Sequence, residues 1–594
     1  MVGTRHNSKR RLAGVLVPVF SIRGENDLGI GDVASLKEFV DFASEVGFGF
    51  VQLLPINETG PDNSPYNAIS SVAIEPMTLD CTPKGLKDLP EATASEILSK
   101  YDIETLNAGN VQYESVRKLK HELLQKAYEG FLENVYGRVD SRADDFEAFY
   151  GKEAAWLNDY CVFRLLMERE GGSQVWQNWP EDLRSKEKAI EILAGEEMVS
   201  GSSDLDKKLR YYAYVQWVAE NQWKEIADYA ASKDISLMGD IPIGVSLYSV
   251  DVWANVEIFD LDWYGGAPPE KLFKDDEFVQ KWGQNWGIPL YRWDVLKERH
   301  YDWWRQRIGK ATEIFGMFRV DHALGFYRIY AFPWNPVRNE EFLPLTKVEA
   351  EELCDGNLPG FKPRPDDSEE DKAANRAEGE VYLSMIKESA GLAEMIAEDL
   401  GMVPDYVRPS LENLGIAGMK VPQWEFTDGH VTSGLHYPSC SFATYATHDH
   451  SPLPAQWKAM YKQLCEAEVE SPEWWEAKKF LETLCHFAGI ELEDGYRIPE
   501  FSSHVWHKLM RELCFSNSDR VAFMISDLLE DDNRINVPGV MDGTNWSYRV
   551  PASSKELGVG LDFRDLREGI KNVLNESSRS RRVDTLQIGR TCHA

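Results

Sequence analysis

Residues 318–325 read FRVDHALG, a short apolar run that carries an arginine and an aspartate before it reaches a glycine. Side chains alternate between the two faces of a strand, so we expect Arg319 and Asp321 on one face and Phe318 and Val320 on the other. A guanidinium and a carboxylate on one face are typical of an ion pair that closes a strand. A functional interpretation therefore requires further polar or aromatic residues nearby.

Seven similar apolar runs are spread along the chain and are separated by stretches with helical periodicity. Eight such strands alternating with helices predict an α/β fold, a TIM (β/α)8 barrel with helical insertions, whose active site lies at the carboxyl ends of the strands. Polar residues recur at the ends of these runs, namely Asp240, Asp321, Glu398, Asp449 and Asp527. The predicted strands are GVLVPV (14–19), GFVQLLP (49–55), ISLMGDIP (235–242), MFRVD (317–321), EMIAEDL (394–400), GMKVPQW (418–424), FATYATHD (442–449) and RVAFMISDL (520–528).

Two stretches interrupt the alternation of strands and helices. Residues 83–230 are rich in Glu, Lys, Ala and Leu with helical periodicity, which predicts a helical subdomain inserted between the second and third barrel strands. Residues 360–380 are highly charged and poor in large apolar side chains, which predicts a surface excursion between the fourth and fifth strands. We therefore expect barrel strands 1–2 and a substrate loop in residues 1–82, the helical insertion in 83–230, and the rest of the barrel in 231–594.

Composition narrows the classes of partner. Of 594 residues, 64 are basic and 98 acidic, and the formal net charge of −34 argues against nucleic acid or an anionic membrane as the partner. No apolar run approaches the length needed to cross a bilayer. The N-terminal MVGTRHNSKRRLAG leads directly into VLVPVF without a cleavage site, which favours a cytoplasmic protein. A neutral ligand is the expected partner.

The cysteine and aromatic content narrows the kinds of site further. The eight cysteines, Cys592 among them, form no C-x-x-C pair, so the sequence predicts neither a zinc site nor a disulfide framework. The 19 tryptophans, 24 tyrosines and 26 phenylalanines exceed what a core needs, and some are expected to line a site for flat-faced ligands. The stretch YDWWRQRI (301–308) has helical spacing, and we assign its tryptophans to packing.

Three carboxylates stand out as candidates for chemistry. Asp321 should be held ionised by Arg319, which suits a nucleophile. Glu398 follows Ile396 and Ala397, and a desolvated setting would keep a proton on it near neutrality, which suits an acid. Asp449 is placed to bind hydroxyl groups rather than to react. A nucleophilic carboxylate and a protonated one are the minimum machinery for breaking a glycosidic bond.

Metal sites are not predicted. His448 and His450 flank Asp449, but two histidines at i and i+2 without a third nearby ligand more often serve as hydrogen-bonding residues. The segment EDDNRINVPG is acidic but lacks the D-x-D-x-D-G spacing of a calcium loop.

Motifs from about residue 14 to residue 550 resemble, in order, the amylomaltase or disproportionating-enzyme family of 4-alpha-glucanotransferases, glycoside hydrolase family 77. The resemblance implies a TIM barrel with helical insertions, no cofactor, and transfer of α-1,4-glucan segments from a donor to the 4-hydroxyl of an acceptor glucan. The motifs are SPYNAISS, DVWANVEIFDLD, GQNWGIPLYRW, FRVDHALG, IAEDLG, YATHDH and RINVPGV followed by NWSYR.

The resemblance also assigns roles by position. It implies that Asp321 is the nucleophile, that Glu398 is the general acid and base, and that Asp449 is the third carboxylate, which binds and distorts the reacting sugar. Residues expected to bind substrate are Tyr66, Gln284, Trp286, Arg319, Trp424, His448 and Asn536. The chain departs from the family pattern in THDH (447–450) and in LGIAGMKVPQW (414–424), which puts acceptor-side preferences and chain-length choice in doubt. The middle of the loop at 265–287 is also unlike the family.

Two other functions stay open at this point. A related α-amylase-type hydrolase would use the same retaining chemistry with water as acceptor, and the products would distinguish it. A non-catalytic glucan-binding protein would keep the aromatic residues and lose a carboxylate, whereas all three carboxylates are present. Donor length, cycloamylose formation, oligomeric state and pathway are left undecided by the sequence.

Overall fold

The computed structural model describes residues 10–200, 203–270, 276–494, 497–540 and 543–580. The N-terminal residues 1–9, the centre of the 265–287 loop at 271–275, and Cys592 lie outside the described residues. Fourteen strands are described, namely β1 Leu12–Leu16, β2 Phe50–Gln52, β3 Ser236–Ile241, β4 Phe259–Ala267, β5 Gln284–Tyr291, β6 Met317–Val320, β7 Ile329–Phe332, β8 Gly360–Lys362, β9 Glu394–Ala397, β10 Ala417–Lys420, β11 Phe426–Thr427, β12 His430–Val431, β13 Ser441–Ala443 and β14 Arg520–Met524.

Eight of these strands close into a parallel barrel in the order β1-β14-β13-β10-β9-β6-β3-β2. Each of the eight lies in or overlaps one of the eight predicted runs, so the predicted TIM barrel is confirmed. The register places Asp240 of β3 beside Arg319 of β6, and Arg319 beside Ile396 of β9. Residues that follow these three strands therefore begin at one level of the barrel mouth.

Helices surround the barrel and fill the insertions. The described helices are α1 Val33–Val46, α2 Glu91–Leu98, α3 Ile103–Asn107, α4 Tyr113–Asn134, α5 Ser141–Arg169, α6 Lys186–Ser200, α7 Ser203–Ser232, α8 Val250–Ala254, α9 Glu277–Trp282, α10 Trp293–Glu298, α11 Asp302–Thr312, α12 Asn339–Phe342, α13 Lys347–Leu353, α14 Glu369–Ala390, α15 Val407–Leu414, α16 Leu453–Glu466, α17 Pro472–Ala488, α18 Ser503–Phe515, α19 Ile525–Leu528, α20 Ser554–Val559 and α21 Arg564–Glu576. None of the helices in the described part of the chain has both the length and the apolar character required to cross a bilayer.

Two insertions interrupt the barrel. Helices α2 to α7 lie between β2 and β3, as expected for the helical insertion, although its boundaries at residues 83 and 230 remain a prediction. Residues 360–380, predicted as a surface excursion between the fourth and fifth barrel strands, lie between β6 and β9 and contain β8 and the first half of α14. Their charged side chains are exposed or partly exposed, whereas Gly379 is buried. Strands β5, β4, β7 and β8 form an antiparallel sheet.

The strands' inward faces carry an apolar layer and then a polar one. Met238, Met317 and Ile396 belong to a small apolar cluster contributed by the barrel strands. Two residues further along the same strands, and therefore on the same face, come Asp240, Arg319 and Glu398. The opposite-facing Phe318 and Val320 join the larger core, which also contains Trp303 and Trp304 of α11. The alternation expected for FRVD is therefore observed.

Candidate active site

Arg319 is the centre of the polar layer at the barrel mouth. Its Nη1 donates to both oxygens of Asp240, at 2.9 and 2.7 Å, and its Nη2 donates to Oδ1 of Asp321 at 2.8 Å. The side chain is only 5% exposed. Burial alone would lower the pKa of Arg319, but Asp240 and Asp321 together raise it well above its ordinary value. The guanidinium is therefore a permanent charge that fixes two carboxylates at once.

Glu398 directly follows β9 and approaches the same guanidinium. Its Oε2 lies 3.8 Å from Arg319 Nη2, and its two oxygens accept the backbone N–H groups of His322 at 2.8 Å and Leu400 at 3.0 Å. Burial raises the pKa of Glu398 to about 7, although Arg319 and the backbone donors oppose the rise. Asp321 adds to the rise through its charge. Glu398 can therefore carry a proton near neutral pH.

The turn after β6 joins the two carboxylates. Asp321 donates its backbone N–H to the carbonyl of Ile241, and His322 follows in the left-handed region with φ 45°. A residue other than glycine is strained in that region unless its surroundings hold it. The hydrogen bond from the His322 N–H to Glu398 stabilises His322 in this conformation. This turn aims Asp321 into the mouth, where its side chain remains 27% exposed.

Asp449 lies across the mouth in a second cluster of polar side chains. Its Oδ1 accepts from Asn536 Nδ2 at 2.6 Å, and its Oδ2 lies 3.3 Å from His448 Nε2. Burial lowers the pKa of His448, so the ring is neutral near pH 7 and can donate from Nε2. Burial would raise the pKa of Asp449, but His448 and Asn536 outweigh it and lower that pKa overall. Asp449 is therefore an ionised acceptor for hydroxyl groups.

Tyr66 connects the two clusters. Its hydroxyl donates to Asp240 Oδ2 at 2.8 Å, and its ring stacks on His448 with centroids 4.9 Å apart and planes inclined by 11°. Trp546 lies against both rings, at 5.8 Å from Tyr66 and 5.9 Å from His448. Tyr66 therefore links the residues around Arg319 to the residues around Asp449.

Aromatic side chains stand at the rim of the mouth. Trp286 lies edge-on to His322, with centroids 4.9 Å apart, and its Nε1 donates to Gln284 Oε1 at 3.2 Å. Trp424 lies 5.2 Å from the ring of His450. The ten residues that the sequence analysis selected are thus connected at the barrel mouth, with Asp240 joining Arg319 to Tyr66 and with His322 and His450 contacting the rim tryptophans.

Asp399 supports Glu398 from behind and was not selected from the sequence. Its Oδ1 accepts the backbone N–H of Met419 in β10 at 2.6 Å, and its Oδ2 accepts from Arg408 Nε at 3.2 Å. A Cβ at Gly418 would lie 3.0 Å from both carboxylate oxygens, so a glycine leaves them room. The backbones of β9 and β10 pair over only two residues. The hydrogen bond from Met419 N–H to Asp399 therefore adds a further link between the two strands where their backbone pairing has ended.

Asp240 and His322 were also missed as site residues. Asp240 was noted only as a polar strand end, although the alternation in ISLMGDIP, with Met238 inward, would have placed it inside the barrel mouth. His322 contributes its backbone N–H, and no side-chain motif reveals such a role. Arg534, whose side chain donates to the backbone carbonyl of Asp449 at 2.5 Å, was not selected either, although it begins the motif RINVPGV.

Comparison with known proteins identifies the family of the chain. A family model described as 4-alpha-glucanotransferase, of glycoside hydrolase family 77, matches residues 17–554. A 4-alpha-glucanotransferase of Chlamydia pneumoniae is 29% identical over 576 residues, which cover 94% of each chain. One of Thermus thermophilus is 28% identical, with 95% of this chain and 99% of the relative covered.

Solved structures agree with the sequence relatives. The amylomaltase from Streptococcus agalactiae in complex with acarbose superposes with a TM-score of 0.73 at 25% identity, over 96% of this chain and 100% of that one. The amylomaltase from Corynebacterium glutamicum has the same fold, with a TM-score of 0.71 at 20% identity over 96% of this chain and 75% of that one. The chain therefore belongs to the 4-alpha-glucanotransferases of glycoside hydrolase family 77, enzymes that act on α-1,4-glucans.

Proposed function

We propose that the protein moves α-1,4-glucan segments from a donor maltooligosaccharide or glucan to the 4-hydroxyl of an acceptor glucan or glucose, by a retaining double displacement. In the first half-reaction Asp321 attacks the anomeric carbon, and Glu398 gives its proton to the departing glycosidic oxygen. In the second, Glu398 takes the proton of the acceptor 4-hydroxyl, which attacks the same carbon and releases Asp321. Every proton and nucleophile in this scheme comes from these two side chains or from the acceptor.

The observation that carries the proposal is the shared contact of the two carboxylates with one nitrogen. Arg319 Nη2 lies 2.8 Å from Asp321 Oδ1 and 3.8 Å from Glu398 Oε2. Those two oxygens can lie at most roughly 6.6 Å apart, which is the lower edge of the about 6.5 to 9.5 Å that separates the carboxyl groups of inverting enzymes. The bound leaves room for the about 5 to 5.5 Å of retaining enzymes, in which the carboxylate attacks directly and no water lies between the two groups.

Differences in exposure support the division of roles. Arg319 holds Oδ1 of Asp321, and the 27% exposure of that side chain allows its other oxygen to face a substrate. Glu398 is 12% exposed and carries a raised pKa, as an acid requires. Asp449, with its side chain 39% exposed and anchored by Asn536, can bind the hydroxyl groups of the sugar that reacts. The surrounding carboxylates also favour the positive charge that develops at the anomeric carbon.

Transfer rather than hydrolysis is favoured by family membership and by the aromatic rim. An acceptor glucan must compete with water for the covalent intermediate, so a transferase must bind the acceptor and exclude water. Trp286 and Trp424 offer flat apolar faces on which a glucose ring can stack. An α-amylase-type hydrolase remains the alternative. Incubation with maltotriose decides between them, because transfer yields glucose and longer oligosaccharides without a net gain of reducing ends.

The roles of the two carboxylates can be separated with α-maltosyl fluoride, whose fluoride departs without a proton. We expect Glu398→Gln to form a glycosyl-enzyme from this donor while failing with maltotriose, because only the second donor needs the acid. Mass spectrometry of the digested protein should then find the added sugar on the peptide that contains Asp321. Asp321→Asn should form no adduct with either donor. Turnover of the fluoride by correctly folded Asp321→Asn would refute the nucleophile assignment.

A further inference from the structure

Exposed aromatic side chains continue beyond the rim of the active site. Four tryptophan or phenylalanine side chains in the described part of the chain are exposed, by 40% for Trp286, 48% for Trp424, 43% for Phe426 and 51% for Trp475. The first two belong to the mouth described above. Phe426 and Trp475 have no place in that site. Exposure of large rings without a partner is unfavourable in water and often marks a binding surface.

Phe426 and Trp475 lie on elements that pack together next to Trp424. Phe426 opens the hairpin of β11 and β12, two residues after Trp424, and α17 packs against Pro422–Trp424 and against β12. The Nζ of Lys479 on α17 lies 5.6 Å from the ring centroid of Phe426. Trp475 is one helical turn before Lys479 and therefore shares its face of α17. Phe426 and Trp475 therefore lie on neighbouring elements beside the segment that carries Trp424.

The ring of Trp475 is held by contacts with its neighbours. Trp475 and Trp474 meet edge to face with centroids 4.8 Å apart, and Lys478 Nζ lies 5.3 Å from the first ring and 4.7 Å from the second. The helix start is fixed as well, because Ser471 caps the N–H of Trp474, and Gln463 of α16 donates to the carbonyl of Glu473. A rigid aromatic face loses little entropy when a ligand stacks on it.

We infer that Phe426 and Trp475, with Lys478 and Lys479 between and beside them, form an outer glucan-binding strip. Its occupant is the part of a long α-1,4-glucan chain that extends past Trp424 and out of the cleft. The C–H faces of glucose rings stack on the aromatic rings, and the lysine ammonium groups donate hydrogen bonds to sugar hydroxyls. A neutral polymer is compatible with a protein of net charge −34, and the strip begins where the proposed acceptor rim ends. This inference rests on the proposed function.

The strip predicts a difference between long and short substrates. A maltotriose molecule in the cleft is too short to use it, whereas amylose spans both sites. We therefore expect Trp475→Ala and Phe426→Ala each to weaken binding of soluble amylose about fivefold, and the double variant to weaken it further. The KM for amylose should rise with kcat nearly unchanged. Trp475→Gln, which keeps more of the side-chain volume, serves as a second variant if the alanine variant folds poorly.

The experiment is native electrophoresis in gels with and without soluble amylose, beside a maltotriose disproportionation assay of the same samples. Leu561→Ala removes an exposed apolar side chain that is not part of the strip, and it should behave like the wild type. Unchanged retardation of the folded double variant would overturn the inference. So would loss of maltotriose disproportionation in step with amylose binding, or a change of sedimentation behaviour that shows the strip to be a contact between two copies. Failure of the wild type on maltotriose would instead contradict the proposed function.

Discussion

The raised pKa of Glu398 predicts how activity depends on pH. The side chain is buried at the end of β9, where two backbone donors and Arg319 favour its charged form, and burial together with the charge of Asp321 favours the protonated form. Burial outweighs the other effects and raises the pKa from an ordinary value of 4.5 to about 7. In the proposed first half-reaction, Glu398 must hold a proton. Cleavage of the donor should therefore fail as the pH rises through 7.

The size of the effect follows from the protonated fraction. With a pKa of about 7, roughly nine-tenths of the molecules carry the proton at pH 6 and roughly one-tenth at pH 8, so kcat/KM should fall about tenfold over that interval. An unperturbed glutamate would be protonated in fewer than about one molecule in a hundred at pH 7. The pH at which kcat/KM falls on the alkaline side therefore reports how far burial has raised the pKa of Glu398 in the free enzyme.

The assay measures initial kcat/KM for maltotriose between pH 5 and pH 9 at constant ionic strength. The matched control is α-maltosyl fluoride with the wild-type enzyme, because a departing fluoride needs no proton and the upper limb should disappear from its first half-reaction. A maltotriose profile that stays flat to pH 9 would refute the assignment of Glu398 as the acid with a raised pKa. An identical upper limb with both donors would show that another group or the fold itself titrates there.

Three substitutions test other contacts in the site. Arg319→Lys keeps the positive charge beside buried Asp240, but a lysine ammonium cannot donate to Asp240 and Asp321 with the fixed, two-pronged geometry of the guanidinium. Maltotriose turnover should therefore fall about 10- to 100-fold while the fold stays largely intact. Near-normal turnover would contradict this role of the guanidinium. Asp399→Ala removes the acceptor of the buried Met419 N–H and should lower the free energy of unfolding by about 1 to 3 kcal/mol in urea titrations, and an unchanged midpoint would contradict it. Trp286→Ala should lower the ratio of transfer to hydrolysis on maltotriose, and an equal loss of both reactions would leave the ring only a packing role.

The barrel could be predicted because its strands leave a strong signal in the sequence. Each predicted run contains an apolar stretch of barrel length and overlaps a barrel strand, and five of the eight carry a polar residue near their end. The ends of the runs were less well predicted: FATYATHD covers residues 442–449, whereas β13 is Ser441–Ala443. The rim residues Thr444, Tyr445 and His448 are also buried, so apolar and buried character continues after the hydrogen-bonded ladder has stopped. Hydrophobic pattern alone cannot locate that point.

The candidate site divides into parts that the sequence could and could not supply. Motifs single out side chains with distinctive chemistry, such as Asp321 and Glu398, and the structure brings these together. Contacts made by the backbone leave no such mark, which is why the N–H of His322 and the N–H of Met419 were not anticipated. The charged stretch at 360–380 was predicted only as a surface segment, because exposed charges on a helix such as α14 have the same composition as charges on a segment without regular structure.

A chain of side-chain contacts connects Glu398 to Trp424 at the rim of the mouth. Asp399, next to Glu398, binds the N–H of Met419 in β10, and Arg408 joins Asp399 to Glu425. Glu425 also pairs with Lys420 of β10 and directly follows Trp424. Pro422 and Trp424 belong to LGIAGMKVPQW (414–424), one of the stretches that depart from the family pattern. In the proposed mechanism, changes in this stretch would alter where an acceptor stacks while the ion pair between Arg319 and Asp321 is left intact.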